Sequence, residues 1–318
     1  MFNARLSHAV LLAAALAGAT PAFAIDNLTI MAPAAPGGGY DSTARTMQEV
    51  LQATGLAKGV QVENVPGAGG TIGLAQFTKK RGDGKAMIVS GLVMVGAILS
   101  NKSPVTLEDA TPIARLTSEW EALVVPSSSD IRTVADLAAK FKANPKSVSW
   151  GGGSAGGTDH ILVGLFAKAV GGDPTQINYI AHSGGGQALA AILGGHVTVG
   201  VSGVSEFEAQ VKAGQLRMIA ISSPRRIPEI NAPTLVDSGI NVSLGNWRAV
   251  FGAPKLSNKD QTAMLEMVDK MVKSDAWKKQ LKDKGWSEYY LAGDQFQAFL
   301  KNENTQVSGV LQSIGLLR

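Results

Sequence analysis

Glycine clusters at residues 37–39, 67–70, 151–157 and 184–186 each stand directly before a stretch that reads as a helix. The first amides of a helix have no intrahelical acceptor, and the helix dipole gathers partial positive charge among them. Glycine lets such backbone curl round an anion with no Cβ in the way. Two clusters fall in the first part of the chain and two in the middle, which suggests two facing walls of one anion pocket. Ser154 and Ser183, with the backbone of Gly156, Gly157, Gly184 and Gly185, are the best candidates for ligand contact. Asp41 and Asp159 follow two of the clusters, where N-capping and a ligand role suit them equally. Arg45 and Arg248 are the nearest basic residues. A bidentate guanidinium suits a carboxylate, and structural ion pairing is its usual alternative.

Other chemistries fit less well. Residues 151–156 match G-x-G-x-x-G after a strand, but no acid ends the next strand, 177–180, where a dinucleotide site wants one. Residues 152–156 match G-x-S-x-G, which would make Ser154 the nucleophile of a secreted hydrolase. Past the leader, however, the histidines are His160, His182 and His196, all within the middle of the chain, whereas that motif normally draws its histidine from near the end. No H-E-x-x-H, paired-histidine spacing or acid cluster suggests a metal. No cofactor is implied, and the reading is not an enzyme.

Composition narrows the setting. Residues 1–8 carry Arg5 and no acid, residues 9–18 are apolar, and Ala22-Phe23-Ala24 has the form of a cleavage site. An apolar run of about 10 residues is too short to cross a bilayer. The expectation is therefore a signal peptide cleaved after Ala24 and a free periplasmic protein. There is no cysteine, so disulfides, thiolate sites and a lipid-modified cysteine are excluded. Loss of Arg5 leaves 28 Lys+Arg against 25 acids, a net +3. That mild excess suits small anions. With no basic stripe interleaved with aromatics, it does not suit nucleic acid.

Strands and helices must position these loops. Residues 28–32, 60–63 and 86–90 read as strands, with helices at 41–54 and 71–80. The middle repeats the plan: strands at 123–125, 148–150, 177–180, 197–201 and 216–221, and a helix capped by Thr133. Residues 259–284 and 294–313 look mainly helical. The alternation implies parallel sheets, with the glycine clusters beyond the carboxyl ends of strands, where open α/β sheets bind ligands.

At this point the motifs match a known family. Pro36-Gly37-Gly38-Gly39-Tyr40-Asp41-Ser42-Thr43-Ala44-Arg45 and Glu63-Asn64-Val65-Pro66-Gly67-Ala68-Gly69-Gly70 resemble the first two loops of the substrate-binding receptors of tripartite tricarboxylate transporters, the Bug-type receptors. The likeness continues through 150–160, 182–197 and 246–254. Its Gly-Gly-Thr-Asp-His and Asn-Trp-Arg segments are similar to the tricarboxylate branch. The resemblance implies a type II periplasmic binding protein: two α/β domains with a ligand cleft between them, here 25–124 plus 247–318 and 125–246. It implies capture of a small organic carboxylate, citrate-like or a dicarboxylate, and delivery to a two-component membrane permease, with monomer as the default state. Carried over by position, first-domain contacts come from Gly39, Tyr40, Asp41, Gly69, Gly70, Ser90 and Gly91. Second-domain contacts come from Ser154, Ala155, Gly156, Gly157, Thr158, Asp159, Ser183, Gly184, Gly185, Ser202 and Gly203, with Arg248 near the return between domains.

Overall fold

A computed structural model of the chain describes residues 25–182 and 185–317. The leader and its cleavage site after Ala24 lie outside the described residues, as do Ser183 and Gly184. The first lobe opens with β1 (Ile25–Asp26), β2 (Thr29–Ala32), α1 (Gly39–Ala53), β3 (Ala57–Lys58), β4 (Gln61–Asn64), α2 (Thr71–Phe77), β5 (Ala86–Gly91) and α3 (Leu92–Ser100). A 16-residue strand, β6 (Thr111–Pro126), runs into the second lobe. There follow α4 (Val134–Ala143), β7 (Ser149–Gly152), α5 (Thr158–Ala169), β8 (Asn178–Ala181), α6 (Gly185–Leu193), β9 (Val199–Gly203), α7 (Val204–Lys212) and β10 (Leu216–Ile221). The chain returns through β11 (Gly245–Gly252) to α8 (Asn258–Lys273), α9 (Asp275–Lys284), β12 (Ser287–Ala292) and α10 (Gly293–Ser313).

Among the described residues, one sheet in the order β4-β2-β5-β11-β6-β9-β7-β8 links both lobes, with β10 and β12 also paired to β6. Its outer thirds are parallel: β2 with β4 and β5, β7 with β8 and β9. The middle is antiparallel, because β6 pairs with β9, β10, β11 and β12 that way. An all-parallel sheet was the expectation. The difference arises because the chain crosses between lobes on β6 and comes back on β11, which forces opposed directions at the centre. The first half of β6 pairs with β11 and β12, and its second half with β9 and β10. Ser222 ties the crossing: its hydroxyl accepts the Glu121 amide (2.9 Å) and donates to the Leu244 carbonyl (2.6 Å).

Each lobe buries its own apolar mass. In the first, Met47, Phe77, Phe251, Trp277 and Phe296 form part of one continuous cluster. In the second, Trp150 at the centre of β7 meets Phe141 of α4 and Phe166 of α5 edge-on, with ring centroids 6.2 and 5.4 Å away. Edge-to-face rings add to what their buried area contributes. Thr133 caps α4 as the sequence indicates, accepting the Asp136 amide at 3.2 Å within a capping box. Gly55 follows α1 at φ 68°, the left-handed conformation that ends a helix.

We expect Trp150→Ala to destabilise the second lobe by about 3–5 kcal/mol, the usual loss for emptying a large aromatic site. Chemical denaturation should show a midpoint shift of that size. A shift below about 1 kcal/mol would mean that the aromatic triad does not organise this lobe.

Candidate ligand-binding site

The parallel edges of the sheet decide where a site can form. β2 and β4 in one lobe, and β7 and β8 in the other, all release the chain at the same side, into the four glycine loops. The loops bound a crevice between the lobes. Gly38, Gly39 and Tyr40 line it at the start of α1, and Gly67, Gly69 and Gly70 line it from the second loop. Gly153, Ser154, Gly157, Thr158 and Asp159 face them across the gap.

Both walls share one construction. Helix α1 is capped by Gly38 and α5 by Gly157, and neither cap residue supplies a side-chain hydrogen bond to the first turn. By contrast, α4, α8 and α9 have hydroxyl caps from Thr133, Ser257 and Ser274. Open helix ends placed on a crevice present N–H donors and positive potential to whatever enters. The second loop needs its glycines for conformation: Gly67, Gly69 and Gly70 have φ of 129°, 65° and 95°.

The two acids behind these helix starts do not cap them. Asp41 turns back to accept the Gly37 amide at 2.9 Å and is held by Arg45 Nε (3.0 Å) and Asn64 Nδ2 (2.8 Å). Burial would raise its pKa, but these three donors hold it below the usual range. Asp159 likewise accepts the Gly153 amide at 2.6 Å. Each carboxylate braces a glycine loop from behind. Further braces hold the 151–157 loop: Tyr179 Oη donates to the Gly153 carbonyl (2.9 Å), and the Gly156 amide donates to His160 Nδ1 (3.2 Å). The His160 ring stacks on Tyr179 with centroids 4.1 Å apart. Burial lowers the His160 pKa to about 4, so the ring stays neutral and Nδ1 can accept.

The floor of the crevice is charged. Arg248 lines it, bonded to Glu119 (Nη2 to Oε1, 3.0 Å) and to Asn246 Oδ1 while its buried Nε has no acceptor, and its guanidinium stands 5.3 Å from the Tyr40 ring centroid. Glu119 also accepts from Ser205 Oγ (3.1 Å) and Trp286 Nε1 (3.2 Å), so both lobes grip it. Asn246 in turn donates to Glu121 Oε1 at 2.5 Å. Glu121 lies beside Asp159. Burial first, then Asp159 and Glu119, push Glu121 far above the ordinary carboxylate range. It therefore keeps its proton and donates to Asp159, itself raised to about 6 mainly by burial. Glu206, in the first turn of α7, completes the acidic side. Burial, with Glu119 and Asp159 next in weight, raises it to about 8.

The structure divides the residues expected from the sequence. Gly39, Tyr40, Gly69, Gly70, Ser154, Gly157, Thr158, Asp159, Gly185, Ser202 and Arg248 line the crevice. Asp41, Ser90, Gly91, Ala155, Gly156 and Gly203 do not. Ser90 is buried against Met94 Sδ (3.3 Å), and a Cβ on Gly91 would strike the Trp247 carbonyl. Gly203 makes room for Glu119, whose Cδ lies 2.7 Å from where a Cβ would stand. Gly156 meets α3 instead, near Ser100 and Gly96. Arg45 points to the surface and pairs with Asp41. Glu206, Asn246 and His182 line the crevice without having been chosen as contacts. Their signals were weak, although Asn246 and Arg248, two apart on a strand, necessarily share a face.

A two-lobed α/β arrangement with a polar crevice at the crossing strands is the fold of the periplasmic binding proteins. The family model for the tripartite tricarboxylate transporter family receptor matches residues 43–316, and the chain belongs to that family. It is 28% identical over 295 residues to Protein BugT of Bordetella pertussis, covering 91% of this chain and 89% of that one. It is 30% identical over 232 residues to a protein of the Agrobacterium vitis ttuE–ttuC′ intergenic region, covering 72% and 66%. In fold it is similar to the periplasmic binding protein BugD (TM-score 0.82, 20% identity, 92% and 98% covered) and to MatC of Rhodopseudomonas palustris with bound malate (TM-score 0.78, 21% identity, 91% and 100% covered). Among the described residues no helix is long and apolar enough to cross a membrane.

The raised acids set a pH dependence. Asp159 goes from 3.8 to about 6, and Glu206 from 4.5 to about 8. Between those limits the folded protein holds more protons than the unfolded chain, so stability falls as pH rises. We expect Tm of the unliganded protein to decline from pH 5 to pH 8.5, and Glu206→Gln to flatten the upper part of that decline. Differential scanning calorimetry across this range checks it. A Tm that climbs steadily with pH would refute the assignment.

Proposed function

We propose that this protein is an exported receptor that closes two lobes on a small organic carboxylate in the periplasm and delivers it to a two-component permease of the tripartite tricarboxylate type. The observation that carries this reading is the pair of glycine-capped helix ends, on α1 and α5, which face one crevice from opposite lobes. A carboxylate between them accepts N–H donors from both sides and so favours the closed arrangement over the open one. Domain one comprises 25–124 with 247–318, domain two 125–246, and the receptor acts as a monomer. The contacts are the crevice-lining residues named above. A citrate-like ligand fits less well than a ligand with fewer carboxylates, because Arg248 is already committed to Glu119 and Asn246. A hydrolase built on Ser154 is not favoured: His160 and His182 are both engaged with backbone of the 152–156 loop.

Closure has a steric signature. Gly96 of α3 packs directly on the Gly156 carbonyl, so a Cβ there would overlap it. The Gly96→Ala change should cost the two-lobed arrangement about 1–3 kcal/mol of overpacking, more than the helix preference for alanine of up to about 1 kcal/mol returns. It should also weaken ligand binding at least about 10-fold, because the two walls could no longer meet as they do here.

A thermal-shift screen of mono-, di- and tricarboxylates, amino acids and sugars tests the reading. A matching carboxylate at about 100 times its Kd adds about 2.7 kcal/mol and raises Tm by several degrees. Shifts from sugars or neutral amides alone, or equal affinity in the Gly96→Ala variant, would overturn it.

A further inference from the structure

The crevice has two unlike ends. At one, glycine amides and helix termini await an anion. At the other stands Glu206, whose neighbours give it no cation of its own. It is partly open to the crevice, whereas Glu119, Glu121 and Asp159 are 5%, 0% and 7% exposed. The charged and titratable groups facing it are Glu119 and Glu121 of β6, Asp159 of α5 and Arg248 of β11, with His182 beside the same crevice. Arg248 turns its two Nη atoms to Asn246 and Glu119, and His182 Nδ1 sits 3.1 Å from the Gly152 carbonyl. Ser202 lies within hydrogen-bonding range of Glu206 and contributes no charge. Space has been cleared for this acid: a Cβ on Gly185 would overlap its Oε2.

We propose that Glu206 determines specificity as the anchor for a cationic nitrogen, so that the ligand is a small zwitterion with its carboxylate on the glycine-capped helix ends and its protonated nitrogen on the Glu206 carboxylate. This rests on the receptor reading above and narrows its ligand class. At neutral pH Glu119 is balanced by Arg248 and Glu121 keeps its proton, which leaves the Asp159 charge beside Glu206; a second ligand carboxylate at this end would add like charge in a poorly solvated space, and a cation would relieve it. Single-point chemistry points the same way. Once it gives up its proton, a carboxyl on a partly open wall is an acceptor for N–H donors, and a charged donor makes the stronger bond.

The proposal makes a distinctive proton balance. The empty crevice leaves Glu206 largely protonated at neutral pH, its pKa being raised to about 8. An ammonium arriving beside it stabilises the carboxylate, so the proton leaves to solvent and binding releases H⁺. A dicarboxylic ligand held by a protonated Glu206 would instead keep that proton or take one up.

Isothermal titration calorimetry at pH 7, in two buffers of different ionisation enthalpy, reads this directly. The probes are matched pairs of equal chain length: β-alanine, 4-aminobutanoate and 6-aminohexanoate against malonate, succinate and adipate, with α-amino acids alongside. We expect an amino carboxylate to bind at least about 10-fold tighter than its diacid partner, with net proton release. Glu206→Gln should weaken it by about 10- to 100-fold, the loss of one buried charge-assisted bond, and narrow the gap to the diacid. Glu206→Asp should keep part of the preference. Tighter diacid binding, proton uptake, or unchanged affinity in Glu206→Gln would overturn the zwitterion while leaving the carboxylate receptor standing. If no carboxylate of either kind binds, both readings fall.

Discussion

The buried pair of Glu119 and Arg248 is the interaction on which the rest depends. It sits where the two crossing strands pass side by side, with both residues about 5% exposed. An ion pair in such a place is not a cheap source of stability, since removing two charges from water consumes most of what their attraction returns. What it provides is position. Glu119 gathers Arg248 from β11, Ser205 from α7 and the Trp286 indole in one carboxylate, so the lobes share a pivot. Deleting either partner would leave a buried charge with no counterpart. The register of β6 against β11, and hence the alignment of the facing glycine walls, follows from it.

Room is the second requirement, and glycine supplies it in two distinct ways. In the 67–70 loop the backbone enters the left-handed region, which only glycine occupies without strain. At Gly96 the φ angle is ordinary and the need is proximity: α3 lies against the carbonyl of Gly156. Gly185 and Gly203 serve neither purpose. They stand aside for Glu206 and Glu119. A glycine count therefore conflates curved backbone, close lobe contact and space for a buried acid.

This is why the sequence was legible in part. Glycine clusters at strand ends, the helix spacing of 41–54 and the Thr133 cap are local signals, and each was readable because its cause lies within a few residues. The family motifs pointed to the same crevice. The central strand was not readable in full: 123–125 was seen and the other residues of Thr111–Pro126 were not. Buried Arg115, Thr117, Glu119 and Glu121 break the apolar run that marks a core strand. Glu119 and Glu121 find side-chain partners more than 100 residues away, Arg248 and Asn246, which no window along the chain can reveal. The two acids at 119 and 121 do carry a period-2 signature, the trace of a strand with one polar face. Asp41 and Asp159 misled for a related reason. Their spacing suits a cap, yet their acceptors are turned back onto the Gly37 and Gly153 amides, leaving the helix ends open.

That inversion explains how one site can be lined by so many acids and still receive an anion. The donors that meet a carboxylate are backbone amides, which carry no titratable charge and keep their orientation at any pH. The acids stand behind the loops or under the crossing strands, where they hold those amides in place. Glu121 and Asp159 share a proton, and Glu119 is neutralised by Arg248, so most of the negative charge near the crevice is internally balanced. Among the described residues, Glu206 faces the ligand space with no ion-pair partner of its own. On the proposed reading, anion capture and the acidic floor are thus parts of one arrangement, in which backbone polarity reads one end of a molecule and the Glu206 side chain reads the other.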